Sequence, residues 1–339
     1  MSGPRTAADL VEWMPGNADR IGLVARCGDI EVSHRADEPF PLAGIRAVLV
    51  LGAYAEAVAQ RRVDPDEAVP LPRVQAWWIR GTDGGAHMNA ERDWRARERI
   101  IRGRVLAVPL DEIAGGMVRW SSAACADYLL TRLGADTVTG WARRRGMTAQ
   151  QPMYPMYGEL AGWIRHRAEW PALTGAERAA EIDRLTPASK AVNRWRVMRL
   201  GAAVQARCAA VSCAGTPGEW AGLLERVHAD SAAGSAAGMA REEAAVLRHH
   251  LGWPRRVSER TAERFTAFAS ASGSFAGVVT EVTHAVGADG RRSVLTQFYR
   301  DLPVDTWRAM ARTLPHRRLV LDLLTGERPP TDLASALPG

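Results

Sequence analysis

Cysteine is scarce in this chain: Cys27, Cys125, Cys208 and Cys213 are the only four among 339 residues. No two of them form a C-x-x-C pair or stand at zinc-ligand spacing with histidine, so neither a disulfide framework nor a zinc site is expected, and they read as small buried residues. No window approaches 18 uninterrupted apolar residues, which speaks against a membrane-spanning helix. Residues 1–19 lack the apolar stretch of a secretory signal, and the expectation is a cytoplasmic protein. No internal repeat is visible. The formal charge of +6 and the sequence pI near 9.6 come from scattered arginine, with short clusters at Arg143-Arg144-Arg145 and His316-Arg317-Arg318. No aromatic-interleaved basic stripe accompanies them, so they read as solvated helix faces and no nucleic-acid partner is expected. Nothing points to a nucleotide, flavin or metal cofactor. The oligomeric state is left open.

What is present is a regular alternation of elements. Two strands are expected at residues 20–26 and 31–35, joined at Gly28-Asp29. Residues 47–59 are apolar on nearly every face, the pattern of a helix buried on all sides. Helices are expected at 6–15, 110–117, onward to about 145, and at 175–185, 191–210 and 240–251. The Gly/Ser/Ala run 231–238 reads as a flexible joint. Strands return at about 264, with segments at 277–282 and 293–299 around the turn Gly287-Ala288-Asp289-Gly290, and a helical tail follows from about 304. The expectation is an α+β, three-layer α/β/α unit. Its antiparallel sheet comes from both chain ends (1–42 and 254–339), and a helical region (43–253) is inserted between them. That region carries an enlarged segment, 150–215, rich in Trp, Tyr and Arg. A ligand cleft is expected where the two parts meet.

Three short motifs fall in order along this frame. Ala43-Gly44-Ile45-Arg46 opens the buried run, Ser121-Ser122-Ala123 precedes a helix, and Ala271-Ser272-Gly273 lies on an expected edge strand. In order and setting they resemble the S-x-x-K, S-D-N and K-T-G motifs of class A serine β-lactamases and penicillin-binding proteins. The resemblance covers most of the chain. It implies that the nucleophilic serine falls at Ala43 and its lysine at Arg46, with the asparagine at Ala123 and the second lysine at Ala271. Alanine carries no nucleophile, and a guanidinium does not give up its proton at working pH. The resemblance therefore implies a pseudo-β-lactamase without acyl-serine chemistry. The family's Ω-loop glutamate would fall in segment 150–215, where Glu159 stands at about the right distance in a pattern that does not match.

Each candidate site residue has a functional and a structural reading. Arg46 is expected in the old cleft, anchoring a carboxylate or phosphate; the alternative is a structural salt bridge. Ala43 marks the cleft wall, and Ser121 keeps a hydroxyl there, for ligand or for backbone. Ser272 and Ser274 can bind ligand from the strand edge or remain solvated. Asp83 and His87, in the glycine-rich loop after Trp77-Trp78, can form an acid/base pair, or serve as a turn aspartate and a surface histidine. Tyr154, Tyr157, Glu159 and Trp163 can line a lid or pack the segment's core. The leading expectation is a non-hydrolytic enzyme of cyclisation, isomerisation or elimination, acting on a small metabolite in natural-product biosynthesis. Arg46 would hold an anionic group, and Glu159 or His87 would move the proton. The alternative is a catalytically dead small-molecule-binding or regulatory protein, followed by a hydrolase with relocated residues.

Overall fold

A computed structural model describes residues 3–189, 192–229 and 239–337; the joint expected at 231–238 lies outside them. Five antiparallel strands form the main sheet: β1 (Ile21–Cys27), β2 (Ile30–His34), β3 (Phe265–Phe275), β4 (Val278–Gly287) and β5 (Arg292–Tyr299), in the order β2-β1-β5-β4-β3. Both chain ends thus build one sheet. β1 and β5 pair from Ile21↔Tyr299 to Cys27↔Ser293, and Gly28, at φ +61, makes the tight turn between β1 and β2 that a side chain resists. The central strands are buried along most of their length, so both faces must be covered. On one face Leu10 and Met14 of the N-terminal segment pack with Leu319, Leu323 and Leu333 from the C-terminal helices. On the other, Leu223, Leu224 and Val227 join the core of the helical region.

That region is organised around the helix Ala47–Ala59, where every side chain from Ala47 to Ala57 is buried. Its small residues admit close neighbours. The ring of Trp141, from the helix Ala135–Arg144, fills the space a Cβ at Gly52 would need. The segment expected to be enlarged contains the helices Met156–His166, Gly175–Arg184 and Gly201–Ala209. Thr174 and Glu177 form a capping box at the second of these. The single helix expected at 191–210 is instead split into Arg194–Met198 and Gly201–Ala209, with a turn at Arg199-Leu200 and a left-handed Gly201, at φ +69, opening the second. Trp163, Trp170, Ile182, Leu200 and Cys208 give this segment a core of its own, fused to the sheet through Val278. All four cysteines are free and buried. No described helix is long and apolar enough to cross a membrane.

Candidate functional site

A cavity of about 490 Å³ lies where the helical region meets the edge strand β3. Its walls come from the start of the buried helix (Gly44, Arg46, Ala47), from β3 (Ser272, Gly273, Ser274), from the Trp77–Trp78 loop, from the segment carrying Ser121, Ser122 and Asp127, and from Tyr154, Tyr157 and Trp163. Ala43 does not belong to it. Its backbone is held at φ +47 and it is buried in the core cluster of Ile79, Met156, Trp163 and Val278, three of which line the cavity themselves. Gly44, Arg46 and Ala47 line the cavity instead. None of these three carries a hydroxyl or an amine. Gly44 lies against the edge strand: a Cβ there would stand 3.1 Å from Gly273 Cα and from the Ser272 carbonyl, and a Cβ on Gly273 would run into Gly44 N.

Arg46 reaches the cavity floor already paired. Its Nη1 donates to Glu159 Oε2 at 2.5 Å, with both side chains below one-tenth exposed, so the salt-bridge reading describes it and the free anion anchor does not. Glu159, in the first turn of the helix Met156–His166, sits behind Arg46 and off the wall. Asp127, in the helix Ala123–Leu133, completes the group, and sequence reasoning had not singled it out. Its Oδ1 accepts from Met156 N at 2.7 Å and its Oδ2 from Tyr157 N at 2.8 Å. Pro155 at that helix's N-cap offers no side-chain acceptor, so Asp127 satisfies the first free N–H groups from a neighbouring helix. Burial pushes the Asp127 carboxyl up to about 7, helped by the Glu159 carboxylate and opposed by Arg46 and the two amides. Two carboxylates and one guanidinium in a dry site thus retain a proton close to neutral pH.

Asp83 and His87 are neighbours but do not form the expected acid/base pair. Asp83 accepts from Trp78 Nε1 (3.1 Å), Gly85 N (3.0 Å) and His87 N (2.9 Å), and so fixes the turn into the helix Ala86–Ala96. The His87 ring is fully buried between Trp78 and Trp94, off the cavity wall, with Nδ1 2.9 Å from Ser122 Oγ. Its acidic neighbour is Glu91, one turn along, at 3.4 Å from Nε2. Burial favours neutral imidazole, but Cys125 and Glu91 outweigh it and raise His87 to about 9. The His87 contact in turn lowers Glu91 to about 2, against the effect of burial.

The remaining expected residues do line the cavity. Ser121 is exposed, in a left-handed backbone at φ +58. Tyr157 meets the edge of Trp77, ring centroids 6.2 Å apart. Ser274 Oγ accepts from Trp307 Nε1 at 2.8 Å, and Ser272 Oγ accepts from Arg317 Nη2. Arg317 was read in the sequence as part of a solvated basic cluster. Its helix, Pro315–Thr325, carries it to the cavity rim, where Nε also donates to Glu281 Oε2 at 3.2 Å. An arginine just before a leucine-rich helical stripe carries no local sign of that position.

An antiparallel sheet built from both chain ends, a buried helix at its edge and a cleft between them define the α+β fold of the β-lactamases. Among solved structures the chain is similar to the β-lactamase from Sphaerobacter thermophilus DSM 20745, at 16% identity and a TM-score of 0.56 over 96% of this chain and 98% of that one. It is similar also to PBP-A, solved as a point mutant in an acyl-enzyme complex with penicillin G, at 14% identity and TM-score 0.52 over 95% and 99% of the two chains. A point mutant of the class A β-lactamase of the last common ancestor of Gram-negative bacteria aligns at 15% identity and TM-score 0.56, over 95% and 99%. Likeness at this level of identity establishes the fold alone. No protein-family model and no curated protein matches the sequence.

Proposed function

We propose that the protein binds a small, largely apolar metabolite with an anionic group in this cavity, and that it does so without an acyl-serine intermediate. The observation that carries this reading is the pair Gly44 and Ala47. A cavity of about 490 Å³, within the range of small-molecule sites, lies at the fold's cleft, yet at the start of the buried helix the residues that line it beside the paired Arg46 have no reactive side chain. Arg317, half exposed at the rim beside Ser272 and paired with Glu281, would meet the anionic group in place of Arg46, which is buried against Glu159.

As an enzyme the protein would carry out a cyclisation, isomerisation or elimination in natural-product biosynthesis. Such steps need a shaped apolar wall, fixed dipoles and one acid or base. Asp127 is the wall residue suited to that last part, since it exchanges its proton near neutral pH. A second reading, a catalytically silent binding protein, is favoured by the commitment of the wall's polar groups to protein partners: Arg46 to Glu159, Asp83 to its turn, Ser272 to Arg317 and Ser274 to Trp307. A relocated serine hydrolase built on Ser122 and His87 is disfavoured, because an imidazole held near 9 is already protonated at neutral pH and cannot take the hydroxyl's proton.

Intact-protein mass spectrometry after incubation with penicillin G tests the non-covalent reading. An unchanged mass is expected, and a stoichiometric penicilloyl adduct would overturn it. A screen of apolar carboxylates and phosphates, followed by quenching of Trp77, Trp78 and Trp163 and by a rise in melting temperature, should then find ligands whose affinity falls in Arg317→Ala. Turnover of a hit separates the enzyme from the silent binder.

A further inference from the structure

Outside the cavity, three metal-ligating side chains converge at the opposite end of the helix Leu110–Arg119. Asp111, in its first turn, faces His249 and His250 in the last turn of the helix Arg241–Leu251. One ligand atom from each lies within 4.8 Å of the other two. We propose that Asp111, His249 and His250 form a binding site for one divalent transition-metal ion of the zinc class.

The ligand types suit such an ion, which takes imidazole nitrogen and carboxylate oxygen at about 2.0–2.2 Å. Two such ligands on one tetrahedral ion stand about 3.3–3.6 Å apart, and His250 Nε2, now hydrogen-bonded 2.9 Å from Asp111 Oδ1, would open by roughly half an ångström to admit it. His249 is exposed, so its ring can turn in to close the third corner. The carboxylate is also held from behind: Tyr54, on the buried helix Ala47–Ala59, donates its O–H to Asp111 Oδ1 at 3.0 Å, in the manner of an outer-shell partner that orients a metal ligand.

The charge around the site is mixed, and carboxylates take up several of the nearby arginines. Arg97, Arg99 and Arg119 are engaged by Asp93 and Glu112. Arg256 turns a guanidinium N–H to the His249 carbonyl. Asp64 and Asp66 act on the same Tyr54 hydroxyl, adding negative charge nearby. A bound ion would join two helices that both pack on the central buried helix, leaving its fourth position for water. No motif in the sequence announces such a site, because Asp111 stands 139 positions from His250.

The test uses the full-length protein freed of metal with a chelator and titrated with Co(II), then with Zn(II). The expected result is one equivalent bound, visible-region cobalt bands of nitrogen and oxygen ligation, and a higher melting temperature. His249→Ala, at an exposed position that leaves the fold intact, should weaken binding roughly tenfold or more, and Asp111→Asn should do the same. Absence of binding would overturn the proposal, as would affinity unchanged in His249→Ala. A thiolate-to-cobalt charge-transfer band would also overturn it, placing the ion at a cysteine instead.

Discussion

Removing Arg46 should harm this protein more than removing Glu159, although the two form one ion pair. The reason is Asp127, whose carboxylate shares the same dry floor. In Arg46→Met, two buried carboxylates lose their cation, and the cost expected for a broken buried pair is about 3–5 kcal/mol. In Glu159→Gln, Arg46 still faces Asp127, and the loss should be nearer about 1–3 kcal/mol. The double variant Arg46→Met with Glu159→Leu should lie well below the sum, since the charge and its counter-charge leave together. Urea denaturation measures all three. The pH dependence gives an independent reading. Asp127 is raised from its ordinary 3.8 to about 7 by burial, so the folded state binds the proton more tightly. Its contribution to stability is then fully present below about 4 and lost as pH rises through about 7. Arg46→Met removes the opposing cation and should steepen that loss, whereas Glu159→Gln removes a like charge and should flatten it. Equal costs for the two single variants, or pH slopes unchanged in both, would refute the three-group account.

His87 and Glu91 should set a second and separate pH window. His87, raised to about 9, contributes stability that is complete below about 6.5 and lost as pH climbs through 9, while Glu91, lowered to about 2, contributes above about 4.5 and loses its share as pH falls toward 2. Melting temperature against pH should therefore lose its alkaline decline in His87→Gln. Gly273→Ala should destabilise by about 1–3 kcal/mol, because the new Cβ meets Gly44 N and forces β3 away from the buried helix. Gly16→Ala, with open space around the position, should stay within roughly 0.5 kcal/mol by the same denaturation assay.

Much of the architecture was legible because burial leaves a periodic mark. Residues 47–59 are apolar all round, and they form a helix buried all round. Gly28 stands between two alternating runs, and it makes their turn. Where legibility ended, the cause was that the deciding contacts are not local in sequence. Nothing in the letters distinguishes Ala43 from Gly44 as a residue of the cavity wall. The deciding facts, a left-handed φ at Ala43 and the close approach of Gly44 to Gly273, exist only in three dimensions. Pairings were hidden for a similar reason: Arg46 and Glu159 stand 113 positions apart, and neither has a local pattern that names the other.

The same geometry bears on why the cleft persists. A reactive lysine or carboxylate held ready for chemistry is normally a cost to the fold, because it must be kept dehydrated and incompletely partnered. In this wall Arg46 is tied to Glu159, Asp127 ties the Ala123–Leu133 helix to the start of Met156–His166, and Ser272 is tied to Arg317. These groups therefore support the walls on which a ligand would rest. Variants that untie them should lower stability and binding together. Arg317→Ala should follow the same rule: the arginine lies half exposed at the rim, but it is the cation that faces the buried Glu281 carboxylate, so its loss should lower the melting temperature of the free protein as well as weaken an anionic ligand.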